Sequence, residues 1–175
     1  MTNPQPTATI NLDQYGDTPL SWDSVAQRLD TVADAGQDVF TVLGTVRPDG
    51  TPHAAPVGAL WIDGSWYVVT GADTQKGRNL AANPACTLTA RLSGIDVVFT
   101  GRAERVTDAG ELERVAGVYR AQGWPAEVSG DAFTAPFTAP SGGPPPWNLY
   151  RVATKQAVGV GSAEDVNGAT KWTFA

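Results

Sequence analysis

The sequence predicts a mainly β protein, a small β-barrel with helices at its periphery. Short runs of β-branched and aromatic residues recur along the chain, separated by turn signals such as Asp63-Gly64 and Ser93-Gly94. Few stretches carry a helical period, and 42% hydrophobic residues with 17% charged residues is ordinary for a globular protein. At 175 residues, the chain is expected to form one domain over 1–175 with a sizeable core.

The strand predictions follow the β-rich runs in chain order. Three of them form a meander, because a Pro-Asp-Gly turn at 48–50 and the Asp63-Gly64 turn join them. The second strand of this meander contains Pro52 and Pro56, which indicates an edge or bulged strand. The predicted strands are residues 40–46, 51–61, 66–70, 86–91, 95–106, 147–152, 157–161 and 170–174.

Helical signals are confined to three segments. A helix is expected over 20–29, with Ser21 as N-cap and Gly36 able to end it. A short helix begins near Lys76 and stops at Asn83-Pro84. A third helix runs from Thr107 or Asp108 to about residue 121, with an apolar stripe at Leu112, Val115, Ala116 and Tyr119. Residues 1–15 are expected to form a loose or strand-like arm, and 130–146 a long Pro- and Gly-rich loop.

Composition narrows the classes of function. A net charge of −6 and a pI of about 4.6, with no basic stripe, argue against a general binder of nucleic acid or anionic membranes. One cysteine, Cys86, and one histidine, His53, support neither an internal disulfide nor a His/Cys metal site. No apolar run approaches the roughly 20 residues that span a bilayer, so a cytoplasmic protein is expected.

Residues 66–84 combine a strand, a polar turn and a cation-rich helix start. Such an arrangement can hold a phosphate, because the free N–H groups and the positive end of the helix dipole attract an anion. Lys76 and Arg78 would supply the charge, and Thr70 and Gly71 could line the same pocket. The alternative is an exposed basic turn that contacts only water, and the alternative for Thr70 and Gly71 is an ordinary strand end.

An ordered set of segments resembles the pyridoxamine 5′-phosphate oxidase-like split β-barrel family. The set consists of residues 45–52, then Pro56-Val57, then residues 76–80, which read Lys-Gly-Arg-Asn-Leu. The resemblance covers about 38–106 well and 148–174 more loosely. That family includes FMN-binding proteins and deazaflavin-dependent reductases that use coenzyme F420. The resemblance implies a split β-barrel of six or more mostly antiparallel strands with two to four helices, and a homodimer with cofactor sites at the interface.

The resemblance also implies the residues that would bind the cofactor. Lys76 and Arg78 would take the phosphate charge, with Asn79 at the helix start. The strand that would run beside the flavin or deazaflavin ring contains His53, Ala54, Ala55, Pro56 and Val57, and its backbone would read the polar edge of the ring. As a lone histidine, His53 could instead be simply exposed.

Two further cofactor contacts are open alternatives. Trp147 could cap the ring by stacking, or it could be a core residue that anchors the long loop. Arg151 could be a second anion contact, including one made across the dimer from the partner subunit, or an exposed strand residue.

The sequence contains no recognisable acid–base set and no Ser-His-Asp arrangement, so no catalytic residue is assigned from it. Their absence agrees with hydride chemistry, which belongs to the cofactor. The leading hypothesis is hydride transfer between F420 and a small organic substrate. The alternatives are an FMN-binding oxidase or reductase of the same family and a flavin- or haem-binding carrier. Oxidation of vitamin B6 is not expected, because residues 148–152 lack the Arg-x-His signature of the true oxidases.

Overall fold

The computed structural model describes residues 3–36 and 39–175. Two predicted features extend outside the described residues: the arm at residues 1–2, and the resemblance at Asp38, where it begins. The strands are β1 (Ala8–Asn11), β2 (Thr41–Val46), β3 (Pro52–Val57), β4 (Ala59–Ile62), β5 (Ser65–Gly71), β6 (Ala85–Leu92), β7 (Ile95–Val106), β8 (Glu127–Ser129), β9 (Ala132–Thr134), β10 (Trp147–Gly161) and β11 (Ala169–Thr173). The helices are α1 (Trp22–Asp34), α2 (Gln75–Ala82) and α3 (Ala109–Ala121).

All of the strand pairings are antiparallel, in a main sheet of order β1-β11-β10-β7-β6-β2-β3. The long strand β10 connects the parts of the sheet. Strand β7 pairs along its whole length with one edge of β10, from Leu149 to Gly161. Its other edge pairs with β5 over Trp147–Val152 and with β11 from Gln156 onward. The register shifts between Thr154 and Gln156, where β10 changes partner. This branching agrees with the split β-barrel architecture that the resemblance implies.

The helices divide the buried residues into two hydrophobic clusters. Helix α1 packs its buried stripe, which includes Val25 and Leu29, on one face of the sheet against Phe99 and Trp172. Helix α3 covers the second cluster, which includes Phe133, Leu149 and the four buried residues of α3: Leu112, Val115, Ala116 and Tyr119. Each fully buried Leu or Val side chain contributes about 1.5–3 kcal/mol to stability.

The predicted elements are confirmed in type, and the structure corrects several boundaries. The predicted strand 51–61 is two strands, because the chain turns from β3 into β4 at Gly58. The predicted strands 147–152 and 157–161 are one strand, β10, which contains the register shift. The predicted arm contains β1, and the long loop contains β9.

Helix α1 is longer than predicted and ends at Asp34. Strand β3 lies at the edge of the sheet, as Pro52 and Pro56 indicate. Among residues 3–36 and 39–175, no helix is both long enough and apolar enough to cross a membrane. Across the same ranges, no three His, Cys, Asp or Glu side chains come together as a metal site.

Candidate functional site

The end of β5 and the first turn of α2 are joined tightly. Thr74 is the N-cap of α2, and its hydroxyl oxygen accepts a hydrogen bond from the Gly77 N–H at 3.0 Å. The same hydroxyl lies 2.8 Å from the hydroxyl of Thr70, which is fully buried. A Cβ atom at Gly77 would lie 2.2 Å from the Gly71 carbonyl oxygen, so only glycine fits there. The helix start is therefore rigid, and its positive end has a fixed direction.

Lys76 is the most unusual charged residue of the chain. Its side chain is only 5% exposed, and its Nζ donates a hydrogen bond to the Ser141 carbonyl oxygen at 2.6 Å. No ion pair involves Lys76 among the residues that the structure describes. Desolvation by burial lowers the pKa of Lys76 below its usual value. This position therefore holds a buried amine with no carboxylate partner among the residues that the structure describes.

Arg78 points to a different side of α2. It is exposed and donates hydrogen bonds to the Asp73 carbonyl oxygen and, at 3.1 Å, to the Gln75 Oε1. Residues two positions apart on an α-helix do not share a face. The structure therefore separates the two predicted phosphate-binding cations, with Lys76 inside and Arg78 in solvent.

Asn79 lies at the centre of a polar chain between α2 and the sheet. It is fully buried, accepts a hydrogen bond from Gln75 at 2.7 Å and donates one to the Thr45 hydroxyl at 2.9 Å. The Thr45 hydroxyl lies 3.3 Å from the His53 Nδ1. Because both ends of the Asn79 amide have partners, this geometry favours a positioning role for Asn79. This series of hydrogen bonds connects the edge strand β3 to the helix that contains Lys76.

The predicted ring-binding strand divides between two faces. His53, Ala55 and Val57 are half-buried and pair with the buried inward-facing residues of β2, whereas Ala54 and Pro56 are exposed on the opposite face. The alternation follows from the period of two in a β-strand. A flat ligand beside β3 would therefore contact one of these two sets and the strand backbone.

Trp147 is a core residue, in line with one of the two alternatives drawn from the sequence. It is 1% exposed, and its Nε1 donates a hydrogen bond to the Gly143 carbonyl oxygen at 3.0 Å. It anchors the turn from Ala139 to Gly143, which packs over the end of β5. A Cβ atom at Gly71 would lie 2.4 Å from the Gly142 carbonyl oxygen, so this contact also needs glycine.

Arg151 is engaged elsewhere. Its guanidinium contacts the Glu104 carboxylate at 3.0 Å and the Glu111 carboxylate at 3.5 Å. The hydrogen bond from Arg151 to Glu104 raises the pKa of Arg151. Arg151 does not line the cavity described next, and its role as an anion contact stays a prediction.

A cavity of about 410 Å³ lies between α1, the β4–β5 hairpin, α3 and the 139–143 turn. Three predicted site residues, Val57, Lys76 and Trp147, reach its wall. The remaining wall is mainly apolar and includes residues that sequence reasoning missed: Leu60, Trp61, Trp66, Tyr119, Trp124 and Ser141. The chain's six tryptophans were the available signal, but tryptophan content does not reveal which of them share a cavity.

Comparisons with known proteins identify the fold family. Residues 32–141 match the family model described as pyridoxamine 5′-phosphate oxidase. No curated protein matches the chain significantly.

Solved structures agree with the family match. The heme binding protein from Mycobacterium smegmatis is 18% identical with a TM-score of 0.58, over 90% of this chain and 60% of that one. The conserved hypothetical protein Rv2991 from Mycobacterium tuberculosis is 21% identical with a TM-score of 0.56, over 83% of this chain and 87% of that one. An F420 reductase is 20% identical with a TM-score of 0.50, over 80% of this chain and 98% of that one.

At these identities the structural similarities establish the fold alone, whereas the family model covers more than half of the chain. The cations, edge strand and cavity described above all lie on elements that this match includes or adjoins. The chain belongs to the pyridoxamine 5′-phosphate oxidase family.

Proposed function

We propose that this protein is a flavin-type oxidoreductase that moves hydride between coenzyme F420 and a small organic substrate, with FMN as the alternative cofactor. The observation that carries the proposal is Lys76, a buried cation at the first turn of α2 with no carboxylate partner in the described part of the chain. Both cofactors bear a phosphate-type anion. When bound, the cofactor supplies the hydride chemistry that the side chains lack.

An unpaired buried charge is costly, and an anion would offset that cost. Removing an ammonium group from water costs several kcal/mol, and one hydrogen bond to the Ser141 carbonyl recovers part of that cost. An anion would recover more, because charge-assisted hydrogen bonds are roughly twice as strong as neutral ones. The α2 N-terminus adds its dipole, and Arg78 adds a second charge on the solvent side. Cofactor binding would then exchange the Ser141 carbonyl for a phosphate oxygen.

The edge strand β3 would hold the cofactor ring. Its outer edge pairs with no other strand in the described part of the chain, so backbone groups there are available to the ring's polar edge. Ala54 and Ala55 leave room for a flat molecule, and the proposal also includes His53, Pro56 and Val57. The polar chain through Thr45 and Asn79 would keep this strand and α2 in register.

A homodimer is part of the proposal, and an uncovered face of the sheet supports it. One cross-strand row on this face runs through Ile10, Lys171, Val158, Val98, Thr89, Val42 and Pro56. Only one of these side chains is charged, and Ile10 and Val98 are exposed at 47% and 37%. A row with so few charges and exposed apolar side chains is typical of a surface that pairs with a second copy.

The test is a paired fluorescence titration of the protein with F420 and with FMN, using Lys76→Met, Arg78→Ala and the matched control Lys155→Met. Lys155 is exposed, donates to the Ala175 carbonyl and does not line the cavity that Lys76 reaches. We expect tighter binding of F420, at least tenfold loss in Lys76→Met, a smaller loss in Arg78→Ala and none in the control. Binding of neither cofactor would refute the proposal. Binding without turnover of any unsaturated acceptor would favour the carrier alternative.

A further inference from the structure

We propose that the 410 Å³ cavity and Lys76 together form a binding site for a ring-bearing monocarboxylic acid, and that this acid opposes binding of the cofactor. Binding of the acid requires only the cavity and Lys76. Its opposition to the cofactor rests on the proposed function, in which the cofactor phosphate uses the same lysine. A volume of this size lies at the lower end of the range for small-molecule sites, about 300–1,000 Å³.

Most of the wall is aromatic and already packed. Trp61 and Trp66 lie edge to face with ring centroids 5.3 Å apart, and Trp124 lies 4.7 Å from Tyr119 and 5.6 Å from Trp147. Aromatic side chains held in this way offer large rigid surfaces at little cost in conformational entropy. The wall therefore favours a ligand whose body is a flat apolar ring.

Lys76 gives this apolar wall one charged end. Its Nζ donates a hydrogen bond to the Ser141 carbonyl oxygen at 2.6 Å, and both residues belong to the wall. The Nζ atom and its acceptor therefore lie at the boundary of the cavity. An ammonium group has three N–H donors, and this bond uses one of them. A ligand in the cavity can offer an acceptor to another.

The chemistry of Lys76 favours a carboxylate as that acceptor. Burial lowers the pKa of Lys76, and an opposite charge beside Nζ would favour the ammonium form again. A hydrogen bond between two charged groups is roughly twice as strong as a neutral one. A hydrocarbon would gain only from the wall, and a small inorganic anion would gain only from Lys76. An acid with an apolar ring gains from both.

The acid and the cofactor phosphate would oppose each other, because two anions beside one ammonium group repel. Coupling between two binding equilibria is reciprocal. The acid should therefore weaken cofactor binding by the same factor by which the cofactor weakens binding of the acid. Such an acid would act as an inhibitory ligand.

The test compares 2-naphthoate with 2-naphthamide, which has the same rings and a neutral amide in place of the carboxylate. Binding to the cofactor-free protein is measured by isothermal titration calorimetry at pH 7. We expect at least a tenfold preference for the acid, less than threefold in Lys76→Met, and the full preference in the matched control Lys155→Met. Equal affinity for the two probes, binding of neither probe, or a preference that persists in Lys76→Met would overturn the inference.

Three further variants test whether the acid binds in the cavity. Ala33→Phe fills the cavity from α1 and Val118→Phe fills it from α3, whereas Ala121→Phe adds the same bulk to an exposed position of α3. We expect each filling variant that circular dichroism shows to be folded to lose at least tenfold in affinity for 2-naphthoate, and Ala121→Phe to lose none. Unchanged affinity in a folded filling variant would place the acid elsewhere and overturn the inference.

Failure of this inference is distinguishable from failure of the proposed function. If F420 or FMN binds in a Lys76-dependent way but 2-naphthoate does not, the acid site is wrong and the cofactor assignment stands. If 2-naphthoate binds with the expected pattern but neither cofactor binds, the acid site stands and the proposed function fails. If the acid and a cofactor both bind and neither weakens the other, their opposition is refuted.

Discussion

Lys76→Met separates what this residue costs the fold from what it gives to binding. The substitution removes a buried charge and keeps an unbranched apolar stem of similar length. Burial of the ammonium costs several kcal/mol, its hydrogen bond to Ser141 returns about 1.5–3 kcal/mol, and methionine leaves that carbonyl without its donor. The net expectation at pH 7 is a free energy of unfolding raised by about 1 kcal/mol, measured by urea denaturation of the cofactor-free protein.

The pH dependence gives a second, independent readout. Because burial lowers the pKa of Lys76 in the folded state below the ordinary 10.5, the unfolded chain binds more protons between those two pKa values. The cost of the buried charge is fully present below the folded pKa and disappears as pH rises toward 10.5. The stability advantage of Lys76→Met should therefore shrink across that window. Burial also raises the pKa of Cys86 to about 11 and that of Tyr119, but these groups are common to both proteins and cancel in the difference.

The same variant should bind the cofactor at least tenfold more weakly, since a charged hydrogen bond is worth about 1.5–3 kcal/mol. Lys155→Met controls for the loss of one positive charge and should change neither quantity. A Lys76→Met protein that is less stable by more than about 1 kcal/mol, with unchanged cofactor affinity, would refute the reasoning, because Lys76 would then be a structural residue.

Three other predictions concern the supports of the site. Thr74→Ala should lower the free energy of unfolding by about 1 kcal/mol in urea denaturation, because α2 loses its N-cap, and Thr74→Ser should restore most of it. Gly77→Ala should lower the free energy of unfolding by about 1–3 kcal/mol, because the added Cβ meets the Gly71 carbonyl oxygen. An unchanged denaturation midpoint would contradict that contact. Val98→Arg should convert the proposed dimer to monomer in analytical ultracentrifugation. The control Tyr15→Arg, at a 95% exposed position off the sheet, should leave the dimer intact. A dimer that persists in Val98→Arg would exclude this face as the interface.

Local signals in the sequence were enough to predict the elements of the fold. Alternating and β-branched runs indicated the strands, and Asn83-Pro84 marked the end of α2. Asp108, one of the two residues proposed as the N-cap of α3, is that N-cap in the structure. The bounds of the strands were harder to predict from the sequence. The division at Gly58 and the continuity of β10 depend on which strands pair, and β10 changes partner where no local residue signals it.

The candidate site was predicted in its location more than in its geometry. The sequence placed Lys76 and Arg78 together at the start of α2, but helix periodicity sends one side chain inward and the other into solvent. The burial of Lys76 depends on Ser141, which is 65 residues away in the chain. The aromatic cavity likewise joins α1, β5 and α3, and no local pattern reveals such a long-range arrangement.

The central claim is that the α2 start, with Lys76, binds the anionic part of a flavin-type cofactor. The most direct measurement is the paired titration of the purified protein with F420 and FMN, repeated on Lys76→Met and Lys155→Met. We predict saturable binding of one cofactor, with a loss of at least tenfold in Lys76→Met alone. Binding of neither cofactor, or binding that is equal in all three proteins, would contradict it.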